Sequence, residues 1–198
     1  MQKKEKIIKH NKYLQAIIIC HGLSEYHIAG YLGSNLRLNI GIYAEQKGKS
    51  SIQINSLNKH LSNKIFSSKK NLLKKYNIDL NNKILHNKFK IFIIMDTDDK
   101  ELTIQDITEF KNKNMFKWHW AYDYIVPIFN THNLEDVLTK AKIIDDKHKK
   151  KDYIKLFPIN HNATTDDIRE IEILKGKLKH INNTNLDVLL DYLLNFVK

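Results

Sequence analysis

The chain has 198 residues and a net charge of +11, with 42% apolar and 10% aromatic residues. That fits one domain with a small appendage and excludes wholesale disorder. Only 6 glycines and 2 prolines exclude collagen-like and proline-rich classes, and the longest apolar runs, Ala16–Cys20 and Ile91–Met95, are too short to cross a bilayer.

Gln15–Cys20 (QAIIIC) is β-branched and continuous, which predicts a central parallel strand buried on both faces. His21-Gly22-Leu23-Ser24 then reads as a tight turn with Ser24 as a candidate helix cap, followed by a short helix over 25–32 with Tyr26, Ala29 and Gly30 near its packed side. Residues 39–44 alternate and predict a second strand. QKGKSS at 46–51 is a turn with a serine cap, and Ile54, Leu57 and Leu61 give helical spacing within 52–63. Residues 64–88 read as a helix and a surface excursion. Residues 89–95 form the second strong buried strand, and it ends abruptly in Asp96-Thr97-Asp98-Asp99.

Thr103 and Asp106 have capping-box spacing at the head of a helix over 103–111. Residues 124–129 predict a fourth strand, with Pro127 marking an edge or a bulge. Asn133 caps a helix over 133–143. DDKHKKKDY is a charged connector, and two amphipathic helices follow over 164–175 and 186–197, the first capped by Thr164 or Thr165. The β-α-β-α order predicts an α/β fold: a Rossmann-like, mostly parallel sheet with helices on both faces, plus C-terminal helices. The domain reading is 1–145 for the α/β unit and 146–198 for a helical extension packed on it or on a partner.

In such sheets ligands bind beyond the carboxyl ends of the strands. Two acidic segments stand there, His21-Gly22-Leu23-Ser24-Glu25 and Asp96-Thr97-Asp98-Asp99. Asp96 and Asp98 alternate along an extended segment and can share a ligand, with Asp99 nearby and Glu25 in reach if the two strands are neighbours. Three or four close carboxylates do not all stay ionised without a cation, and hard oxygen ligands favour Mg²⁺ or Mn²⁺. The competing reading of DTDD is a solvated strand-to-helix turn.

AIIICHGLSEYHIAGYL together with FKIFIIMDTDD resembles a Toprim domain, as found in type IA topoisomerases, primases, OLD-family nucleases and RloB-like phage-defence proteins. The family pattern is an apolar strand ending in Glu-Gly and a later strand ending in Asp-x-Asp, with a second acid after the Glu-Gly turn in the OLD and RloB-like branches. Gly22 matches the glycine, Glu25 the second acid, and Asp96 and Asp98 the later pair. VPIFNTHNLEDVL resembles a further RloB-like stretch through Asn130 and Glu135. The resemblance spans roughly residues 14–140 and departs from the pattern once: His21 stands where the family has its first glutamate. Histidine shuttles protons near neutral pH and ligates Mn²⁺ better than Mg²⁺. His21 is therefore an altered catalytic residue, the mark of a site that has lost hydrolysis, or a surface turn histidine.

The resemblance implies a metal-dependent nuclease acting on DNA or RNA, in defence against phage. Glu25, Asp96 and Asp98 would hold Mg²⁺ or Mn²⁺, Asp99 would assist directly or through water, and Glu135 and Asn130 would be additional site residues. The alternative is a catalytically degenerate module that binds nucleic acid, a protein partner or another copy of the chain. The lysine-rich charge suits a polyanion, although lysine also merely solvates surfaces. Lys49 and Ser50 could touch a backbone phosphate, but Gly48-Lys49-Ser50 is no P-loop, because Tyr43 stands where the loop needs a glycine. FIIMDTDD is also similar to the opening aspartates of haloacid-dehalogenase-type phosphatases, a third-ranked reading. Trp118 and Trp120 read as one face of a strand ahead of base stacking. The basic N-terminus lacks an apolar signal segment and the single Cys20 forms no internal disulfide, so the expected location is the cytoplasm, without membrane contact.

Overall fold

β1 (Leu14–Cys20) is buried along its whole length because both of its edges and both of its faces are covered. The computed structural model describes residues 13–76, 88–145 and 152–197. In it β1 pairs in parallel with β2 (Asn39–Tyr43) on one side and β3 (Lys90–Asp96) on the other. β4 (Ile125–Asn130) pairs in parallel with β3 and closes the order β2-β1-β3-β4. This is an α/β fold with an all-parallel sheet, as the alternation of elements predicts. β4 is an edge strand, which accommodates Pro127 opposite Ile93.

Strand parity assigns the faces. Ala16, Ile18 and Cys20 of β1, Phe92 and Ile94 of β3 and Ile128 of β4 share one core layer with α1 (Leu23–Asn35). Ile17, Ile19, Ile91, Ile93 and Met95 face the opposite layer, with α2 (Leu57–Leu61), α3 (Lys69–Lys75) and α4 (Ile104–Lys111). A register shift between Leu14 and Ala16 places Leu14 in this second layer. The first layer also takes α5 (Leu134–Lys140), α6 (Tyr153–Leu156), α7 (Thr165–Leu178) and α8 (Leu186–Leu194), through Val137, Tyr153, Ile171 and Leu189 among others. The C-terminal helices therefore pack on the same face of the sheet as α1.

Capping follows the sequence at several helix starts. Thr103 accepts from the Asp106 N–H while Asp106 accepts from Thr103, and Asn133 and Thr164 cap α5 and α7. Two expectations fail. α1 is capped at Gly22, not Ser24, and runs on to Asn35. The segment after residue 51 enters a 3-10 turn at Ile54–Ser56 from Gln53, without a Ser50 or Ser51 cap. Trp118 and Trp120 lie outside any strand, between 3-10 turns at Asn114–Phe116 and Tyr122–Tyr124. There His119 is buried, takes the Ala121 N–H on Nδ1 at 3.2 Å, and bonds the Phe66 carbonyl through Nε2 at 3.0 Å. It is a satisfied core histidine. Part of the expected excursion over 64–88 and part of the charged connector lie outside the described residues.

Candidate active site

The chain leaves β1 for β2 on one side through α1, and reaches β3 on the other side by way of the opposite layer. The carboxyl ends of β1 and β3 therefore flank the point where the connections diverge, the place where open parallel sheets form a crevice. Register brings the ends level: Cys20 pairs with Ile94, and the His21 N–H donates to the Ile94 carbonyl at 3.0 Å.

Parity then aims the side chains. Asp96 continues the face of Phe92 and Ile94 and points to the α1 layer. Glu25 sits at the third position of α1, and its Oε2 accepts the Gly22 N–H at 2.8 Å, so the carboxylate folds back over the helix start. Both acids are buried, at 2% and 5% exposure. From α5, Glu135 Oε1 accepts from the Ser24 hydroxyl at 2.9 Å. From β4, level with Asp96, Asn130 Nδ2 donates to Asp96 Oδ1 at 3.0 Å. Asn130 Oδ1 in turn accepts from the Thr184 hydroxyl at 2.9 Å, which takes the Leu186 N–H at the start of α8. A continuous polar chain thus links Asp96 to the C-terminal helices.

His21 has the opposite parity and turns toward the second layer. Its Nδ1 lies 2.8 Å from the Ile52 carbonyl, and the Ile52 N–H returns a bond to the His21 carbonyl at 2.8 Å. A carbonyl only accepts, so Nδ1 carries a proton and the tautomer is fixed with Nε2 facing the site. Nε2 stands 3.8 Å from Asp96 Oδ2. That exceeds hydrogen-bond length but allows charge pairing, or a shared ion after a small movement. The residue is a built part of the site, not a loose surface histidine.

Electrostatics follow from this crowding. Burial, then the Glu25 carboxylate, push Asp96 up to about 8, with Asp98 and Glu135 adding to the effect and the Asn130 hydrogen bond opposing it. Burial raises Glu25 as well, against the lowering influence of His21 and of backbone N–H donors. Cys20, at the end of β1, is held well above the usual thiol range by burial and then by Glu25, so it stays an inert thiol.

The two expected acidic segments thus converge, but the DTDD run divides. The strand ends at Asp96, and the Thr97 N–H bonds the Asn130 and His132 carbonyls. Asp98 is exposed at the rim, where it accepts from Asn133 Nδ2 at 3.3 Å. Asp99 accepts the Glu101 N–H at 3.0 Å, the turn role that aspartates favour. Lys49 is exposed on the loop that covers the start of α1. There Gly48, at φ +85°, comes so close that a Cβ would stand 2.7 Å from the Leu23 Cα. Ser50, next to it, is half-buried.

Among the described residues no group of three or more His, Cys, Asp or Glu side chains is placed to hold a metal ion. Beyond burial, Glu25 raises Asp96 and Glu135 raises Glu25, so a divalent cation here would relieve the crowding while held by few side chains and keeping most of its water. Sequence reasoning missed two participants, the Ile52 carbonyl and Thr184, because both are brought in by tertiary partners and neither carries a local signal. A basic cavity of about 390 Å³ lined by Lys64, Ile65, Asn71, Lys74 and Lys75 lies beside α3 and shares no residue with the acidic crevice. No helix among the described residues is long and apolar enough to cross a membrane. Compared with protein families, with curated proteins and with solved structures, the chain finds no match.

Proposed function

We propose that the chain is a divalent-metal-dependent phosphodiesterase of Toprim type, acting on DNA or RNA. One observation carries this reading: Glu25 and Asp96, 71 residues apart in sequence, are buried side by side where the ends of β1 and β3 diverge. Burying carboxyl groups together costs stability, and groups so strongly raised cluster at sites where a ligand uses them. Glu25 and Asp96 would hold Mg²⁺ or Mn²⁺, with Asp98, Asp99 and Glu135 acting from the rim through water. When bound, such an ion neutralises a phosphate oxygen and lowers the pKa of water.

The protein's own part is orientation and proton transfer. The Ile52 carbonyl fixes the His21 ring, whose Nε2 can take a proton from an attacking water. Asn130, held by Thr184, keeps Asp96 Oδ1 in place. Lys49 and Ser50 at the rim, and the cavity lysines Lys64, Lys74 and Lys75, suit a phosphate backbone. A role in phage defence follows from the resemblance to OLD and RloB-like proteins alone. End-labelled single- and double-stranded DNA and RNA, incubated with the protein and Mn²⁺ or Mg²⁺, should be cut, and Asp96→Ala should abolish the cutting. Activity that survives this change would place the chemistry elsewhere.

A second reading rests on a specific observation. Asp96 already has the Asn130 amide on one oxygen and, held up at about 8, keeps its proton at neutral pH, so the crevice carries less charge for a cation to balance. The chain would then bind nucleic acid or a protein partner without cleaving. His21→Glu separates the two: it restores the family's glutamate and creates cleavage in a degenerate site, but lowers cleavage where His21 moves the proton.

A further inference from the structure

Residues 46–78 hold eight lysines and no acid. The fold gathers part of this run on the layer of the sheet away from α1. Lys64, from the turn after α2, and Lys74 and Lys75, from α3, line one cavity of about 390 Å³ together with Ile65 and Asn71. Among the described residues no carboxylate lines it. Ammonium groups gathered around one concavity repel one another, and a concave wall of one sign focuses its field on an anion.

Trp118 stands at the border of this surface. It is 53% exposed, although a large aromatic ring left in water forgoes the gain of burial. It is also fixed in place. Its indole N–H donates to Asn58 Oδ1 of α2 at 3.2 Å, and its ring meets the buried His119 ring in a T-shape, with centroids 5.1 Å apart. His119 Nε2 and the Trp120 indole N–H both bond the Phe66 carbonyl, at 3.0 and 2.6 Å. Phe66 follows directly on Lys64 and Ile65, so one turn ties the fixed indole to the cavity wall. Lys59, next to Asn58, and Lys117, next to Trp118, are exposed as well.

Lysines alone suit any nucleic acid. A rigid, exposed ring among them suits unpaired bases, whose faces a duplex hides, while the phosphates run along the basic side chains. We propose that the face running from Trp118 across Asn58 and Lys59 to Lys64, Lys74 and Lys75 binds single-stranded nucleic acid, with a base stacked on Trp118 and phosphates at the lysines. The inference rests on the nucleic-acid part of the reading above and needs no metal. It gives the substrate its strandedness and the side of the sheet on which it lies.

The test is fluorescence anisotropy with the full chain in chelator at several salt concentrations. The probes are a labelled oligothymidylate of about 20 nucleotides, which exceeds the span of one such face, and a duplex of equal length. The single strand should bind more tightly. Trp118→Ala should weaken its binding about tenfold, and Trp118→Phe, which keeps a stacking ring, should retain most of it. Lys74→Gln combined with Lys75→Gln should reduce the slope of log affinity against log salt by about 1.4. Lys177→Gln combined with Lys179→Gln removes the same charge at the end of α7, in the opposite layer, and should leave affinity and slope at the parent's values. Single-strand binding that Trp118→Ala leaves intact, a duplex bound as tightly as the single strand, or an equal loss in the α7 control overturns this face and leaves the nucleic-acid reading standing. Absence of binding of either probe by the unaltered chain overturns both.

Discussion

Asp96→Asn should stabilise the folded protein at neutral pH while removing the chemistry of the crevice. Burial and the Glu25 charge hold Asp96 up at about 8 in the fold, against 3.8 ordinarily. The unfolded chain therefore releases this proton from about pH 4 upward, and the folded chain keeps it until about pH 8. Between those limits the unfolded state binds fewer protons, so stability falls as pH rises, by about 1.4 kcal/mol per unit. At pH 7 the difference of about three units amounts to roughly 4 kcal/mol, an upper bound that relaxation and water entry reduce to about 2 kcal/mol. Asparagine removes this dependence and keeps the geometry. Its carbonyl can accept from Asn130 Nδ2, and its amide can donate toward His21 Nε2. For a chain of this length about 2 kcal/mol corresponds to a rise in midpoint of several degrees. Urea unfolding of both proteins at about pH 4.5, 6 and 7.5 in chelator measures it. The gain should be near zero at the lowest pH and grow with each step. A variant less stable than the parent at the highest pH, or an offset independent of pH, would refute the reasoning.

Three further outcomes follow from the same geometry. Asn130→Ala leaves the Asp96 carboxyl without its amide donor and the Thr184 hydroxyl without its acceptor, and should cost about 2–3 kcal/mol by chemical denaturation. Gly48→Ala forces a Cβ against the Leu23 backbone at a φ of +85°. It should destabilise by at least about 1 kcal/mol and increase proteolytic nicking in the loop over residues 45–51. Thr164→Ala removes the cap of α7, whose Oγ1 accepts the Asp166 N–H at 3.3 Å, and should cost about 1 kcal/mol without changing Mn²⁺ binding.

What the sequence made legible were the elements whose residues decide their own surroundings. QAIIIC and FKIFIIM have no polar face, so each needed cover on both sides, and both became inner strands. Pro127 pointed to an edge or a bulge because it has no N–H to donate to a ladder, and β4 is an edge strand. The meeting of Glu25 with Asp96 was a conditional expectation, and the adjacency of β1 and β3 supplied the condition. Features set by tertiary partners stayed hidden. Ser24 has the residue type of a cap, but Glu135 from α5 claims its hydroxyl, and Glu25 itself caps Gly22. The alternation at Trp118 and Trp120 suggested a strand, yet the buried His119 ring bonds Phe66 and Ala121 and bends the chain. Asp98 and Asp99 shared the pattern of Asp96, but only Asp96 lies within the strand register that turns it inward. Tyr153 read as the end of a charged connector, because nothing local reveals that its ring reaches the core.

Titration of the chelator-treated chain with Mn²⁺, followed by electron paramagnetic resonance of the free ion, bears most directly on whether Glu25 and Asp96 share a cation. The expected result is one saturable site per chain that both Glu25→Gln and Asp96→Asn abolish, although the latter variant is the more stable fold. Binding that survives either substitution, or saturable binding absent from the parent chain, would contradict a shared ion between the ends of β1 and β3.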